Sequence, residues 1–91
     1  MPRVVWTLKA RANLAGIRAY IGQFSPLNAE RFSGRLVDAI ETLAEQSDRG
    51  RPTGGGRREY TAVFPYVDRY RVTRGTVYIL RIRHGAQRAT P

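Results

Sequence analysis

Two periods of apolar residues divide this chain. From 8 to 24, Leu14, Ile17, Tyr20, Ile21 and Phe24 recur at spacings of three and four, which predicts an amphipathic helix with Arg11 and Arg18 on its other side. Thr7 stands where an N-cap belongs. Gly16 and Gly22 each cost about 1 kcal/mol of helix propensity relative to alanine, so this helix depends on packing. Ser25-Pro26 starts a second helix, the serine as cap acceptor and the proline where its missing N–H costs nothing. Its stripe is Ala29, Phe32, Leu36, Ala39, Ile40 and Leu43, widened by Val37 and Ala44, and Glu30, Asp38, Glu41 and Glu45 make its polar side acidic. So short a link between two amphipathic helices predicts an antiparallel αα-hairpin.

Elsewhere the period is nearer two. Val4-Val5-Trp6 predicts a short strand buried on both faces, 58–64 a second, and 67–73 with 76–83 a hairpin whose turn takes its positive φ from Arg74-Gly75. Pro65 separates the second strand from that hairpin. Thr53-Gly54-Gly55-Gly56 reads as a flexible connector; it is no phosphate-cradling loop, since neither Lys-Ser nor Lys-Thr follows and no helix begins. The order β-α-α-β-β-β predicts one α+β domain over 1–91, a helical hairpin packed on one face of a twisted, mainly antiparallel sheet, with 87–91 as a frayed tail.

The hairpin's register decides what its surface carries. A three-residue loop of Arg74, Gly75 and Thr76 puts Tyr66, Tyr70, Val72, Tyr78, Leu80 and Ile82 on the core face. The other face then holds Val67, Arg69, Arg71, Val77, Ile79, Arg81 and Arg83. A two-residue loop groups Asp68, Arg81, Tyr70 and Ile79 together. The first is preferred because a one-residue slip mixes arginines into the apolar face, and it leaves Asp68 at the edge of the buried side.

Charge narrows the function classes. The net charge is +9, from fifteen arginines and Lys9 against seven acids, and five of those acids lie between 30 and 48. The remainder is therefore more basic than the average, which suits a polyanion or an acidic protein partner; the plainer alternative is a solvated arginine-rich surface. There is no cysteine, so neither disulfides nor thiolate metal sites are expected. One histidine and scattered acids offer no metal-ligand cluster, and no cofactor is expected. No apolar run reaches signal-peptide or membrane-span length, so a cytoplasmic protein without membrane contact is expected.

The order of elements resembles the ParE toxins of the RelE/ParE superfamily, as do Pro65-Tyr66-Val67, Tyr70-Arg71-Val72 and the final Ile79-Leu80-Arg81-Ile82-Arg83-His84-Gly85-Ala86. The likeness includes Trp6-Thr7 at the entry to the first helix and Gly50-Arg51-Pro52 after the second. It implies the toxic half of a bacterial type II toxin–antitoxin pair that inhibits DNA gyrase by binding. It also implies an antitoxin with a ribbon-helix-helix N-terminus and an acidic amphipathic C-terminal segment, through which most DNA contact would occur. The first alternative is the RelE-like branch, which cuts messenger RNA on the ribosome. That branch usually carries an arginine after the tyrosine opening the third strand, a basic residue past the final strand and a tyrosine near the C-terminus. Here those places read Val67, Ala86-Gln87 and a tail without tyrosine. Arg58 matches one of its basic positions, but a lone arginine does not serve as base, acid and phosphate clamp together. A second alternative is a non-toxic basic nucleic-acid-binding module, whose affinity would fall steeply with salt.

No catalytic residue is assigned. Arg58, Arg69, Arg71, Arg81, Arg83 and His84 are the candidate target- or partner-binding groups. Four like charges on adjacent strands about 5 Å apart are destabilising, so the fold alone gives no reason to gather Arg69, Arg71, Arg81 and Arg83 unless Glu59 and Asp68 neutralise part of them. His84, followed by Gly85, is expected to fix the strand end through a hydrogen bond. Tyr60 and Tyr66 suit either base stacking or core packing.

Overall fold

A computed structural model describes residues 2–86. The elements are Arg3–Trp6 (β1), Leu8–Gly22 (α1), Pro26–Glu41 (α2) with a 3₁₀ turn at Thr42–Ala44, Arg51–Gly54 (β2), Arg57–Val63 (β3), Tyr66–Thr73 (β4) and Thr76–His84 (β5). One sheet forms in the order β1-β5-β4-β3-β2, with β1 parallel to β5 and the other neighbours antiparallel. Ala10, Leu36, Ile40 and Leu43 from the helical layer meet Tyr70, Val77, Ile79 and Ile82 from the sheet. This is the expected α+β architecture with one additional strand.

Both helix starts follow the sequence. Thr7 Oγ1 accepts from Ala10 N at 3.2 Å, and Ser25 Oγ accepts from Asn28 N at 3.1 Å ahead of Pro26. Thr7 also donates to Ile79 O at 2.7 Å, which pins α1 to the middle of β5. The α1 stripe is only partly used. Ala10 alone is fully buried, Leu14 and Ile17 pack at the margin, and Tyr20 and Phe24 are 61% and 76% exposed. The reason is position: α1 lies over β5 and β1 at one side of the sheet, whereas α2 buries Ala29, Ser33, Leu36 and Ile40. β1 is likewise a half-buried edge strand, not one buried on both faces.

The hairpin register corrects the three-residue loop. Thr73 pairs with Thr76 across a two-residue turn, and Arg74 and Gly75 both have positive φ (50° and 78°), as a type I′ turn requires. Val77 and Ile79 therefore join Tyr70 in the core, while Tyr78 and Leu80 do not. A bulge resolves the conflict that made this register unattractive. Tyr70 pairs with Ile79 but Arg69 with Arg81, so Leu80 is the extra residue, and beyond it Ile82 returns to the core while Arg81 and Arg83 stay on the opposite face. Asp68, paired with Ile82 in the central strand, is 1% exposed and not at an edge.

The glycine run is structured. Gly54 pairs with Arg57 and closes a second hairpin, in which Gly54, Gly55 and Gly56 all have positive φ (98°, 63° and 74°). Three glycines are needed there for conformation, and Pro52 is tolerated because β2 is an edge. The expected tail, 87–91, lies outside the described residues.

Candidate binding face

The sheet face turned away from the helices carries Glu59, Arg69, Arg81 and Arg83, set side by side by the pairs Glu59–Arg69 and Arg69–Arg81, with Val67 opposite Arg83. The bulge at Leu80 brings these arginines together. Glu59 is their hub. Its carboxylate accepts from Arg69 Nη2 at 3.1 Å, Arg83 Nη2 at 3.3 Å and Arg51 Nη2 at 3.4 Å, with Arg69 Nε adding a longer bond. The side chains of Glu59, Arg69 and Arg83 are 5%, 15% and 10% exposed, whereas Arg51 is 75% exposed. Burial alone would raise the Glu59 pKa, but hydrogen bonds and positive charge from Arg69 and Arg83 outweigh it and hold the carboxyl below its ordinary value.

The candidate arginines thus divide. Arg69 and Arg83 form a half-sequestered ion-pair cluster, and Arg81 stands beside them, half-buried. Arg71 is exposed and donates to Gly55 O at 3.2 Å, bracing the glycine turn. Arg58 points elsewhere: it donates to Gly50 O at 2.6 Å and to Asp48 O at 3.3 Å, holding the loop after α2. His84 packs edge-on against Tyr66 at 5.4 Å, and its Nδ1 accepts from Ala86 N at 3.0 Å, which fixes the strand end as expected. Tyr66 also meets Phe32 on the helical side, and Tyr60 carries Arg49 over its ring at 5.6 Å. Of the two acids expected to neutralise the face, Glu59 does so and Asp68 does not, because it points to the opposite side.

Two features of the surface were not foreseen. Arg49 and Arg51, in the loop after α2 and at the start of β2, join Glu59, Tyr60 and Arg83 around a basin of about 530 Å³; they flank Gly50, where the sequence pattern signals only a helix end. Between the helices, Trp6, Leu14 and Val37 line an apolar groove of about 590 Å³ rimmed by Arg11 and Arg18. The seven-residue spacing of Arg11 and Arg18 was the available signal, since it places both on one helix face. Among the described residues no three His, Cys, Asp or Glu side chains gather as a metal site, and no helix is long and apolar enough to cross a membrane.

The fold and the sequence have close relatives. A structure described as the chromosomal ParDE TA system from P. aeruginosa superposes with a TM-score of 0.80 over 92% of this chain and 96% of that one, at 29% identity. Toxin RelE2 of Caulobacter vibrioides is 53% identical over 96% of this chain and 99% of its own length, and the putative toxin Y4kP of Sinorhizobium fredii is 39% identical over 93% and 90%. The family described as ParE toxin of type II toxin-antitoxin system, parDE, matches residues 4–89. The chain belongs to that family: it is a ParE/RelE-type toxin of a type II toxin–antitoxin system.

Proposed function

We propose that this toxin inhibits DNA gyrase by binding and has no chemistry of its own. The observation that carries the reading lies on the arginine face. A ribonuclease needs cations that reach a phosphate and a group that moves a proton. Here Arg69 and Arg83 converge on Glu59, and Val67 occupies the place opposite Arg83 where the ribonuclease branch has its arginine. Glu59, with a lowered pKa and both oxygens accepting from arginine, is a poor base. The exposed cations around this cluster, Arg49, Arg51 and Arg71, suit an acidic surface. Binding the DNA-cleaved state of a topoisomerase more tightly than the resealed state shifts that balance tenfold for each ~1.4 kcal/mol of differential affinity.

The RelE name carried by the relative at 53% identity favours the second reading, ribosome-dependent cleavage of messenger RNA. Parallel incubations separate the two. Purified toxin with gyrase and supercoiled plasmid is expected to give linear DNA, and toxin with translating ribosomes to leave messenger intact; cleaved messenger with unaffected gyrase reverses the assignment.

The proposed neutralising partner is a cognate antitoxin with a ribbon-helix-helix N-terminus and an acidic amphipathic C-terminal helix. Three features support it. α1 carries Lys9, Arg11 and Arg18 and no acid. The groove beside it is floored by Trp6, Leu14 and Val37, and Leu8, Tyr20, Phe24 and Leu27 are exposed around the helical hairpin. Replacing Arg11 and Arg18 together by glutamate is expected to weaken antitoxin binding at least tenfold, mostly through association rate, as read by surface plasmon resonance at two salt concentrations. Unchanged binding would remove the groove from the interface.

A further inference from the structure

The second buried acid has no part in the arginine face. Asp68 sits midway along β4, the central strand of the sheet, on the side covered by the helices. It is 1% exposed, and neither carboxylate oxygen has a hydrogen-bond partner among the described residues. Burying a polar group unpaired is costly, and burying an ionised carboxylate unpaired costs far more.

We propose that Asp68 is a proton-dependent switch on the packing of the helical layer, accommodated in the core as the neutral acid and loosening the helices from the sheet when it ionises. The groups around it bear this out. On β3 its partner is Tyr60, and on β4 Tyr66 and Tyr70 flank it on the same face. The Tyr70 hydroxyl is engaged, donating to Ser47 O at 2.7 Å and accepting from Gly50 N at 2.8 Å. On β5 its partner is Ile82, with His84 beyond it against Tyr66. The helical layer contributes the apolar Leu36, Ile40 and Leu43 to the core over this face, and the buried Ser33 hydroxyl of α2 already donates to Glu30 O. From α1 comes Asn13, whose Oδ1 accepts from Ile82 N. Of the charged neighbours, Arg58 on β3, paired with Tyr70, shares this face and donates to Gly50 O and Asp48 O, while Glu59, Arg69, Arg81 and Arg83 belong to the opposite face of the sheet. Burial is the main cause that raises the carboxyl's pKa from 3.8 to about 7; the residue's own backbone N–H opposes it, and the negative charge of Glu59 adds a smaller push upward.

The direction of the linkage follows. Between about pH 4 and pH 7 the folded chain holds a proton on Asp68 that the unfolded chain has lost, so this acid's contribution to stability is complete below about pH 4. It is lost as pH rises through 7, by up to about tenfold in the folding equilibrium per pH unit. The proton goes to solvent, and no other group needs to change. The switch rests on the core alone and is independent of the toxin's target.

The test is urea unfolding of the wild-type chain and of Asp68→Asn at intervals from pH 4.5 to 8.5. The wild-type folding constant should fall steadily toward pH 7 and level off above it. The variant should lack that decline and be at least tenfold more stable than wild type at pH 8. Glu59, whose charge acts on Asp68, has its pKa lowered and lies outside the pH window compared. Parallel slopes for the two proteins overturn the proposal. Should the asparagine variant fail to fold, the Asp68 carboxyl carbon in the wild-type NMR spectrum decides alone: a titration midpoint near neutrality supports the switch, and one below pH 5 overturns it.

Discussion

Gly50 and Gly85 have no room for a side chain. A Cβ on Gly50 would lie 2.6 Å from the Tyr70 hydroxyl and 2.8 Å from Glu59 O, and one on Gly85 would lie 2.8 Å from Pro65 O, the acceptor of the Gly85 N–H. The glycines of Gly50-Arg51-Pro52 and Arg-His-Gly-Ala are therefore packing requirements, one under the buried Tyr70 and the other where β5 closes on the β3–β4 turn. Gly50→Ala is expected to lose about 1–3 kcal/mol in urea unfolding, the usual cost of overpacking. Leu36→Ala should lose about 2–5 kcal/mol because Leu36 is fully buried, while Leu80→Ala, at the half-buried bulge, should lose less than about 1 kcal/mol. Glu59 titrates in the opposite sense to Asp68. Its folded pKa is depressed, so its contribution is present above about pH 4.5 and is lost as pH falls through the folded value. Glu59→Gln should therefore flatten the acid limb of the stability profile, and Glu59→Ala should cost about 3 kcal/mol by leaving Arg69 and Arg83 without their carboxylate.

At the scale of elements, the helices were legible because their signals are local: Thr7 and Ser25-Pro26 as caps, and an α2 stripe that holds at Ala29, Leu36, Ile40 and Leu43. The α1 stripe misled because periodicity reports a face, not how much sheet lies under it, and Tyr20 and Phe24 extend past the covered area. The hairpin register was misread for a different reason. Strict alternation cannot place Tyr70, Val77, Ile79 and Ile82 on one side and Arg69, Arg81 and Arg83 on the other without an inserted residue, and nothing local marks Leu80 as that residue. The glycine run was read as flexible since its partner strand supplies the pattern that Arg51–Gly54 lacks. On the candidate face, the arginines were legible as a group, whereas their convergence on Glu59 depends on pairing between strands. The turn offers a check on this register: Arg74→Asn, at φ 50°, should stabilise the hairpin by up to about 1 kcal/mol, and a loss of stability would argue against a two-residue turn.

Across the described residues of the molecule, two of the basic surfaces have different surroundings. On α1 positive charge borders an apolar groove, the combination that an acidic amphipathic helix complements; on the open sheet it surrounds a carboxylate that has already drawn in two arginines. Under the proposed function, the groove side serves the antitoxin and the sheet side the target. The proposed function has the sheet surface act by binding and not by turnover. A titration of purified toxin against a fixed amount of gyrase and supercoiled plasmid, scored by linear DNA, separates the two. Linear DNA is expected to saturate once toxin matches gyrase and to be absent without gyrase. Nucleic acid cut in many-fold excess over toxin, messenger RNA on ribosomes or plasmid without gyrase, would contradict it.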